Sequence, residues 1–399
     1  MTTTRSAGTE REAWIALAST PGVGDLTFSR LLALHGSATA VLDGITRLPA
    51  AHADRSLAGD LELRLRRGLA AAIRRSAADP RRTERRMAAL GGWLLTPLDT
   101  GYPAGLHDIE EPPPVVYGLG DAAALTGERL VAVVGTRRPT AAGRDLATRI
   151  GTRLAEAKVV VVSGLAIGID GATHLAALEA GGNTVAVVGG GVDVPGPAVH
   201  RRLARRIVKH GAVIAELAPG VQPTKGTFPR RNRIISALAA TTIVVEAPAR
   251  SGALITARHA LEQGRQLLVA TGRPLDPRVA GNLALLRESP AGPLVGLDEM
   301  IADLGYDDVG EGSPGAVGPA RGLSGSAALA LLEPTQRAVA QGLAAGPQTV
   351  DGLCHVTGFD PGVVAASLTM LQLRGWARVL GATHLPAGPL LAMDNGGAA

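Results

Sequence analysis

Apolar residues in the middle of the chain come in short unbroken runs: Leu130-Val131-Ala132-Val133-Val134, Val159-Val160-Val161-Val162, Thr184-Val185-Ala186-Val187-Val188, Thr242-Ile243-Val244-Val245 and Leu267-Leu268-Val269-Ala270. Runs of β-branched residues without polar alternation predict strands covered on both faces. Between them lie Ala/Leu/Arg-rich segments of helical character, for example 141–155 and 171–180. Repeated strand–helix units of this kind predict an α/β fold with a doubly wound, mostly parallel, Rossmann-type sheet over residues 112–305, with Val115-Val116-Tyr117 as an outer strand.

The flanks are patterned differently. Residues 1–79 predict a small helical domain in which Pro21-Gly22-Val23-Gly24 separates Trp14-Ile15-Ala16-Leu17 from Phe28-Ser29-Arg30-Leu31-Leu32. That is the pattern of a helix-hairpin-helix, whose backbone N–H groups can hold a phosphate, and equally of a plain αα-hairpin. Residues 80–111, basic at first and ending before Pro112-Pro113-Pro114, read as a linker. A Gly/Ser/Pro/Asp-rich stretch, 306–326, reads as a flexible linker. Residues 327–388 carry three helical segments and a hairpin formed by 376–379 with 383–385, the order of a winged helix-turn-helix domain. Its presumed recognition helix, Pro361 to Leu373, has no cation, which favours a structural or protein-docking role for that unit.

Composition narrows the function classes. The chain has 399 residues and 46% hydrophobic content, enough for several cores, but only 2% aromatic residues, so each aromatic is informative by position. A net charge of +5 favours a polyanionic partner only through local clustering. The single cysteine, Cys354, rules out an internal disulfide framework and a cysteine-based metal knuckle. With no signal-like N-terminus and no apolar run of membrane-spanning length, the sequence is expected to be cytoplasmic, with no membrane insertion.

In a doubly wound sheet, ligands sit beyond the carboxyl ends of the strands. Those ends are Gly135-Thr136-Arg137-Arg138, Ser163-Gly164 running on to Gly168-Ile169-Asp170, Gly189-Gly190-Gly191, and Glu246-Ala247 leading to Arg250-Ser251-Gly252. Glycines admit close backbone approach, and Arg137 adds charge, so this edge suits phosphates. A dinucleotide cofactor would need a G-x-G-x-x-G turn after the first strand, and ATP a Walker loop; neither is present, and no cofactor is expected. Asp170, at a helix start, reads as a cap, Asp193 as a turn residue and His174 as a packed or hydrogen-bonded side chain.

The segment Thr224 to Ser236 gathers Lys225, Arg230, Arg231 and Arg233 around Phe228 with no carboxylate. Cations neutralise phosphates and an aromatic face can stack on a base; the competing reading is a solvated basic loop. Within it, Lys225 and Arg233 are the candidates for nucleic-acid contact, Arg230 and Arg231 are expected to face water, and Ile234-Ile235 to be buried.

The order of these loops with Phe228-Pro229-Arg230-Arg231-Asn232-Arg233-Ile234-Ile235-Ser236 and Ser251-Gly252-Ala253-Leu254-Ile255-Thr256-Ala257 resembles the DNA-processing protein A family (DprA/Smf). The resemblance implies a protein without enzymatic activity that binds single-stranded DNA irrespective of sequence. It also implies a homodimer that hands the strand to the RecA recombinase during natural transformation. Carried over by position, the DNA-binding residues would be Gly135, Thr136, Arg137, Ser163, Gly164, Lys225, Phe228, Asn232 and Arg233; the strand-edge reading adds Gly168, Ser251 and Gly252. The family's G-T-N pattern stands here as Gly281-Asn282, one residue shorter. An alternative is a nucleoside-monophosphate phosphoribohydrolase of the lysine-decarboxylase-like group, but the glutamate of that group's P-G-G-x-G-T-x-x-E motif is missing after Thr256. A third reading makes the winged helix a duplex-DNA reader.

Overall fold

The computed structural model describes residues 7–47, 68–127, 129–305, 329, 332–344, 348–373, 376–380, 383–386 and 390. The chain forms two compact units, Met1–Tyr306 and Asp307–Ala399.

The first unit opens with α1 (Ala7–Ala18), α2 (Asp25–His35), α3 (Ala38–Arg47), α4 (Leu69–Ala78) and α5 (Arg82–Ala89). Leu17, Leu31, Val41, Ile45 and Ile73 pack as the common core of the first four, while Met87 of α5 is buried with residues of the sheet. The turn between α1 and α2 places Gly22 at φ 96°, a left-handed conformation that glycine adopts without penalty.

The sheet follows: β1 (Gly92–Leu95), α6 (Ala104–His107), β2 (Val116–Gly120), β3 (Leu130–Val134), α7 (Ala141–Glu156), β4 (Val160–Ser163), α8 (Ile169–Glu179), β5 (Thr184–Val188), α9 (Arg201–Lys209) and β6 (Gly211–Ala215). It is completed by α10 (Thr227–Leu238), β7 (Thr241–Val244), α11 (Ala253–Glu262), β8 (Gln266–Ala270), α12 (Ala280–Glu288), β9 (Gly292–Leu294) and α13 (Leu297–Asp303). The nine strands lie in the order β1-β2-β6-β5-β4-β3-β7-β8-β9. Pairing is parallel from β6 to β9 and antiparallel at β1–β2 and β2–β6. From β3 the chain winds outward through β4, β5 and β6, then crosses back through α10 to β7. The strand order therefore reverses between β3 and β7, and a crevice opens there at the carboxyl ends. Ile234, Ile235 and Leu238 of α10 pack on one face of the sheet, and Ala147, Ile150 and Leu154 of α7 on the other.

Two expectations change. Residues 80–111 are not a linker: they hold α5, β1 and α6, and β1 pairs with β2 over four residues, Gly92–Leu119 to Leu95–Val116. The sheet also contains β6, which the hydrophobic pattern does not predict, so the basic segment follows a fourth parallel strand, and from Thr227 onward it lies on α10 rather than on a loop. The stretch read as a flexible linker, 306–326, lies outside the described residues.

The helical region is docked on the sheet domain by the fully buried Ile15, which packs in one cluster with Val115 and Tyr117, and by polar contacts. Trp14 Nε1 donates to Pro114 O (2.8 Å), and Ser19 Oγ lies 2.7 Å from Tyr117 Oη. Arg11 pairs with Glu84 (2.6 Å) and Asp99 (2.7 Å). The second unit contains α14 (Pro334–Ala344), β10 (Gln348–Thr349), α15 (Val350–Thr357), α16 (Pro361–Leu373), β11 (Ala377–Leu380) and β12 (Thr383–Pro386), with strand order β10-β12-β11. Val339, Leu343, Leu353, Val364, Leu368 and Trp376 form its core, an arrangement of three helices and a small sheet that is a winged helix.

Candidate nucleic-acid interface

At the switch point lies an open cavity of about 660 Å³ that collects Gly135, Thr136, Arg137, Lys225, Phe228, Asn232, Ser251 and Gly252. Residues far apart in sequence thus meet because β3 and β7 are neighbours and α10 and α11 both start at their carboxyl ends. A smaller cavity of about 240 Å³, lined by Leu165, Ile167, Val188, Gly189, Gly190 and Pro197 among others, lies beside it. Arg137, Ala166, Phe228 and Arg231 line both and form the partition.

Phe228 is placed by its helix and by a glycine. It sits in the first turn of α10, and a Cβ added to Gly189 would meet its Cδ1 at 3.0 Å, so a side chain there would crowd the ring. The Arg137 guanidinium lies 5.4 Å from the ring centroid, within cation–π range. Just before the helix, the Thr227 hydroxyl donates to Thr224 O and accepts from Thr224 N, both at 3.0 Å, which fixes the bend that carries the exposed Lys225. Among the described residues, Arg137, Lys225 and Arg250, all exposed at the rim, have no ion-pair partner.

Beneath the rim the loop after β4 is clamped from both sides. Asp170, buried in the first turn of α8, accepts from Gly164 N (3.2 Å) and Ala166 N (3.3 Å). Arg231 Nη1 donates to Gly164 O at 2.8 Å. A Cβ on Gly164 would lie 2.6 Å from Arg231 Nη2 and 2.7 Å from Asp170 Oδ2, so only glycine fits. Burial pushes the Asp170 carboxyl up, against the opposing pull of Arg231, and lowers Arg231 to about 10. Asp170 is the sole carboxylate lining either cavity among the described residues. It works as a brace inside the helix rather than as the cap before it; the capping position belongs to Gly168, at φ 98°.

The remaining candidates divide. Gly168 lines neither cavity and backs the loop after β3: a Cβ there would collide with Thr136 O, whose carbonyl accepts from Ile169 N at 3.2 Å. Asn232 Nδ2 donates to Gly252 O at 3.3 Å and ties α10 to the start of α11. Ser251 Oγ accepts from Ala253 N at 3.3 Å. Ser163 does not face the cavity, because its buried hydroxyl donates to Val133 O at 2.6 Å within the sheet.

Arg233 is absent from the cavity too. It is buried on the opposite side of α10, where it pairs with Glu216 (2.6 Å) and with Asp25 of α2 (3.2 Å). Arg230 joins the same cluster, paired with Asp25 and with Glu216 (3.3 Å). The expectation that Arg230 and Arg231 face water fails for both: one is in an ion cluster, the other under the cavity floor. Helix periodicity could have shown this, since Arg230 and Arg233 share one face at i, i+3, while Phe228, Arg231 and Asn232 fall on another.

The shortened Gly281-Asn282 pattern forms the start of α12. Asn282 is buried; its Nδ2 donates to Ala270 O (2.9 Å) and Val245 O (3.1 Å), and its Oδ1 accepts from Ala247 N (2.7 Å). It thereby pins the end of β7, which leads into the cavity wall, to the end of β8. Asp193 accepts from Gly220 N at 2.7 Å, and the buried His174 lies 2.7 Å from Thr184 Oγ1, both in structural roles. No group of His, Cys, Asp and Glu among the described residues could hold a metal ion, and no described helix is long and apolar enough to cross a membrane.

A family model for DNA recombination-mediator protein A matches residues 93–305, the sheet from β1 to beyond α13. The chain belongs to that family. Within this DprA/Smf family, models for a DprA-like N-terminal HHH domain and a DprA winged helix domain match residues 8–64 and 325–392. The putative DNA processing protein DprA of Mycobacterium tuberculosis is 37% identical over 344 residues, covering 82% of this chain and 85% of that protein. The structure of DNA processing protein A from Streptococcus pneumoniae superimposes with a TM-score of 0.60 at 30% identity, covering 73% of this chain and 97% of that one. A Helicobacter pylori DNA processing protein A, studied for its single-stranded DNA binding mode, aligns at TM-score 0.50 and 27% identity over 54% of this chain and 96% of that one.

Proposed function

We propose that this chain binds single-stranded DNA without sequence preference, with the strand running through the cavity at the β3/β7 switch point. The observation that carries the reading is the pairing of an accessible aromatic, Phe228, with rim cations that have no ion-pair partner among the described residues: Arg137, Lys225 and Arg250. The cations take phosphates and the ring takes one base face, a combination that accepts any base because every base has a π-face. A cavity of about 660 Å³ that is open to solvent lets a strand enter and leave, as a polymer requires. The single-stranded DNA binding described for the Helicobacter pylori relative supports the same ligand. Delivery of the strand to RecA and a homodimeric state are the roles that family membership suggests, and they rest on that membership alone.

An electrophoretic shift with oligo-dT and a duplex of equal length, across a salt series, tests the reading. Wild type should prefer the single strand, with log K falling linearly against log salt at about 0.7 per neutralised phosphate. Arg137→Glu should bind more weakly and with a shallower slope. Salt-insensitive binding, or an unchanged Arg137→Glu variant, would sink the reading.

A further inference from the structure

Outside the cavity, the most strongly charged element is α9. Its sequence, Arg201-Arg202-Leu203-Ala204-Arg205-Arg206-Ile207-Val208-Lys209, holds five cations and no acid. Ala204 and Ile207 are buried in the sheet core with Leu203 and Val208 against them, while all five cations are exposed. Among the described residues none of the five is ion-paired.

Only Arg206 and Lys209, in the last turn, suit the helix dipole; the rest of the arrangement works against the helix. Arg201 with Arg205, Arg202 with Arg206, and Arg205 with Lys209 are like-charged at i, i+4, which destabilises a helix. Arg201 and Arg202 also stand in the first turn, at the positive end of the helix dipole. The molecule handles other cations differently: on and beside α5, Arg81 pairs with Glu12 (2.6 Å), Arg85 with Asp79 (2.5 Å) and Arg86 with Asp193 (3.4 Å). An anionic partner would relieve the repulsion on α9, which no ion pair relieves among the described residues.

The position of α9 identifies the partner. Pro197 and Gly196 line the smaller cavity, whose partition is Phe228 and Arg137, and the short turn Ala198–His200 runs from them directly into Arg201. His200 Nδ1 lies 3.0 Å from Leu165 O, which fixes this turn to the cavity wall. The basic face therefore begins at the rim and extends along the helix axis for about 12 Å at 1.5 Å per residue.

We infer that α9 is a second contact for the sugar–phosphate backbone, holding the single strand after it leaves the switch-point cavity. This rests on the single-strand reading above. Arg201, Arg202, Arg205 and Arg206 would each meet phosphates along the track, adding affinity only for strands long enough to pass the rim.

The test compares wild type with the quadruple variant R201Q/R202Q/R205Q/R206Q by fluorescence anisotropy. The probes are oligo-dT of about 6 and about 25 nucleotides, bracketing the length a single binding fold holds. Measurement at physiological salt, where the screening length is about 8 Å, suppresses effects of net charge at a distance. For the long probe the variant should bind about tenfold more weakly, with the salt slope shallower by about 0.7 for each phosphate that is no longer neutralised. For the short probe affinity should be retained, and the charge-preserving R201K/R202K/R205K/R206K variant should bind both probes like wild type.

Equal losses on short and long probes, an unchanged long-probe affinity, or a loss confined to duplex DNA would overturn the inference. Reduced long-probe binding by the lysine variant would do the same, by assigning the effect to damaged packing. If wild type itself fails to bind the short probe, the switch-point reading falls instead, and the two failures are thereby distinct.

Discussion

The two sides of α10 use the same chemistry for opposite ends. On one side Phe228 and Asn232 open into the cavity, with Arg231 beneath them and Arg137 across the ring. On the other, Arg233 is enclosed and Arg230 half-buried, paired with Glu216 and with Asp25 from the helical region. Arginines within one turn of each other thus belong to different systems: one lies under the ligand cavity, the others join two parts of the molecule. Asp25 also stands in the first turn of α2, just after the glycine hairpin, so the helix end that could have received a phosphate carries its own carboxylate. The lesson is that an accessible, unneutralised cation marks an interface, whereas arginine in a motif does not.

The comparison breaks most visibly if residues are removed from the enclosed side. Arg233→Ala leaves Glu216 with Arg230 as its remaining partner, and loss of one member of a buried ion pair costs about 3–5 kcal/mol. Denaturant unfolding should show that loss while oligo-dT affinity of the folded protein stays close to wild type; a selective affinity loss would return Arg233 to the DNA site.

A second effect, of about 3 kcal/mol at most, concerns pH. Burial, and then the neighbouring Glu216, raise the Asp25 carboxyl from 3.8 to about 6, against the pull of Arg230 and Arg233. The folded state then holds a proton that the unfolded state has lost, so Asp25 contributes most below pH 3.8 and its contribution is lost as pH rises to about 6. Relative to Asp25→Asn, which cannot titrate, wild type should lose stability across that window; a constant difference would show that Asp25 stays ionised throughout.

On the open side, Phe228→Ala should weaken single-strand binding by about 1–3 kcal/mol through lost base stacking. Its thermal midpoint should move little, because the ring is only half-buried. A large drop in midpoint with affinity retained would make Phe228 a core anchor. The smallest effect belongs to Lys225→Gln, about 1 kcal/mol or less for an exposed cation, visible as a salt slope shallower by about 0.7. An unchanged slope would place the phosphates away from Lys225.

Much of the sheet is legible in the sequence because parallel strands covered on both faces leave unbroken β-branched runs, as in β3, β4, β5, β7 and β8. The other strands lack that signature. Gly211-Ala212-Val213-Ile214-Ala215 of β6 is mostly small residues after a basic helix, and β9 is Gly-Pro-Leu at the sheet edge. Gly92-Trp93-Leu94-Leu95 of β1 is an antiparallel addition whose partner follows in the sequence. For the site, glycines at strand ends locate the edge, since backbone demands are local. Side-chain direction is harder to read. Ser163 and Arg233 sit in the right motif yet turn to Val133 O and Glu216, and Asp25, which helps to draw Arg233 away, lies 208 residues earlier in the chain.

The central claim is that single-stranded DNA lies against Phe228 at the switch point. Ultraviolet cross-linking of the full chain to a 5-bromodeoxyuridine oligonucleotide, with the attached peptide located by mass spectrometry, tests it most directly. Cross-links should fall at Phe228, and Phe228→Ala should abolish them. Cross-links confined to the helical region or to the winged helix, with none on the segment from Lys225 to Asn232, would contradict the account.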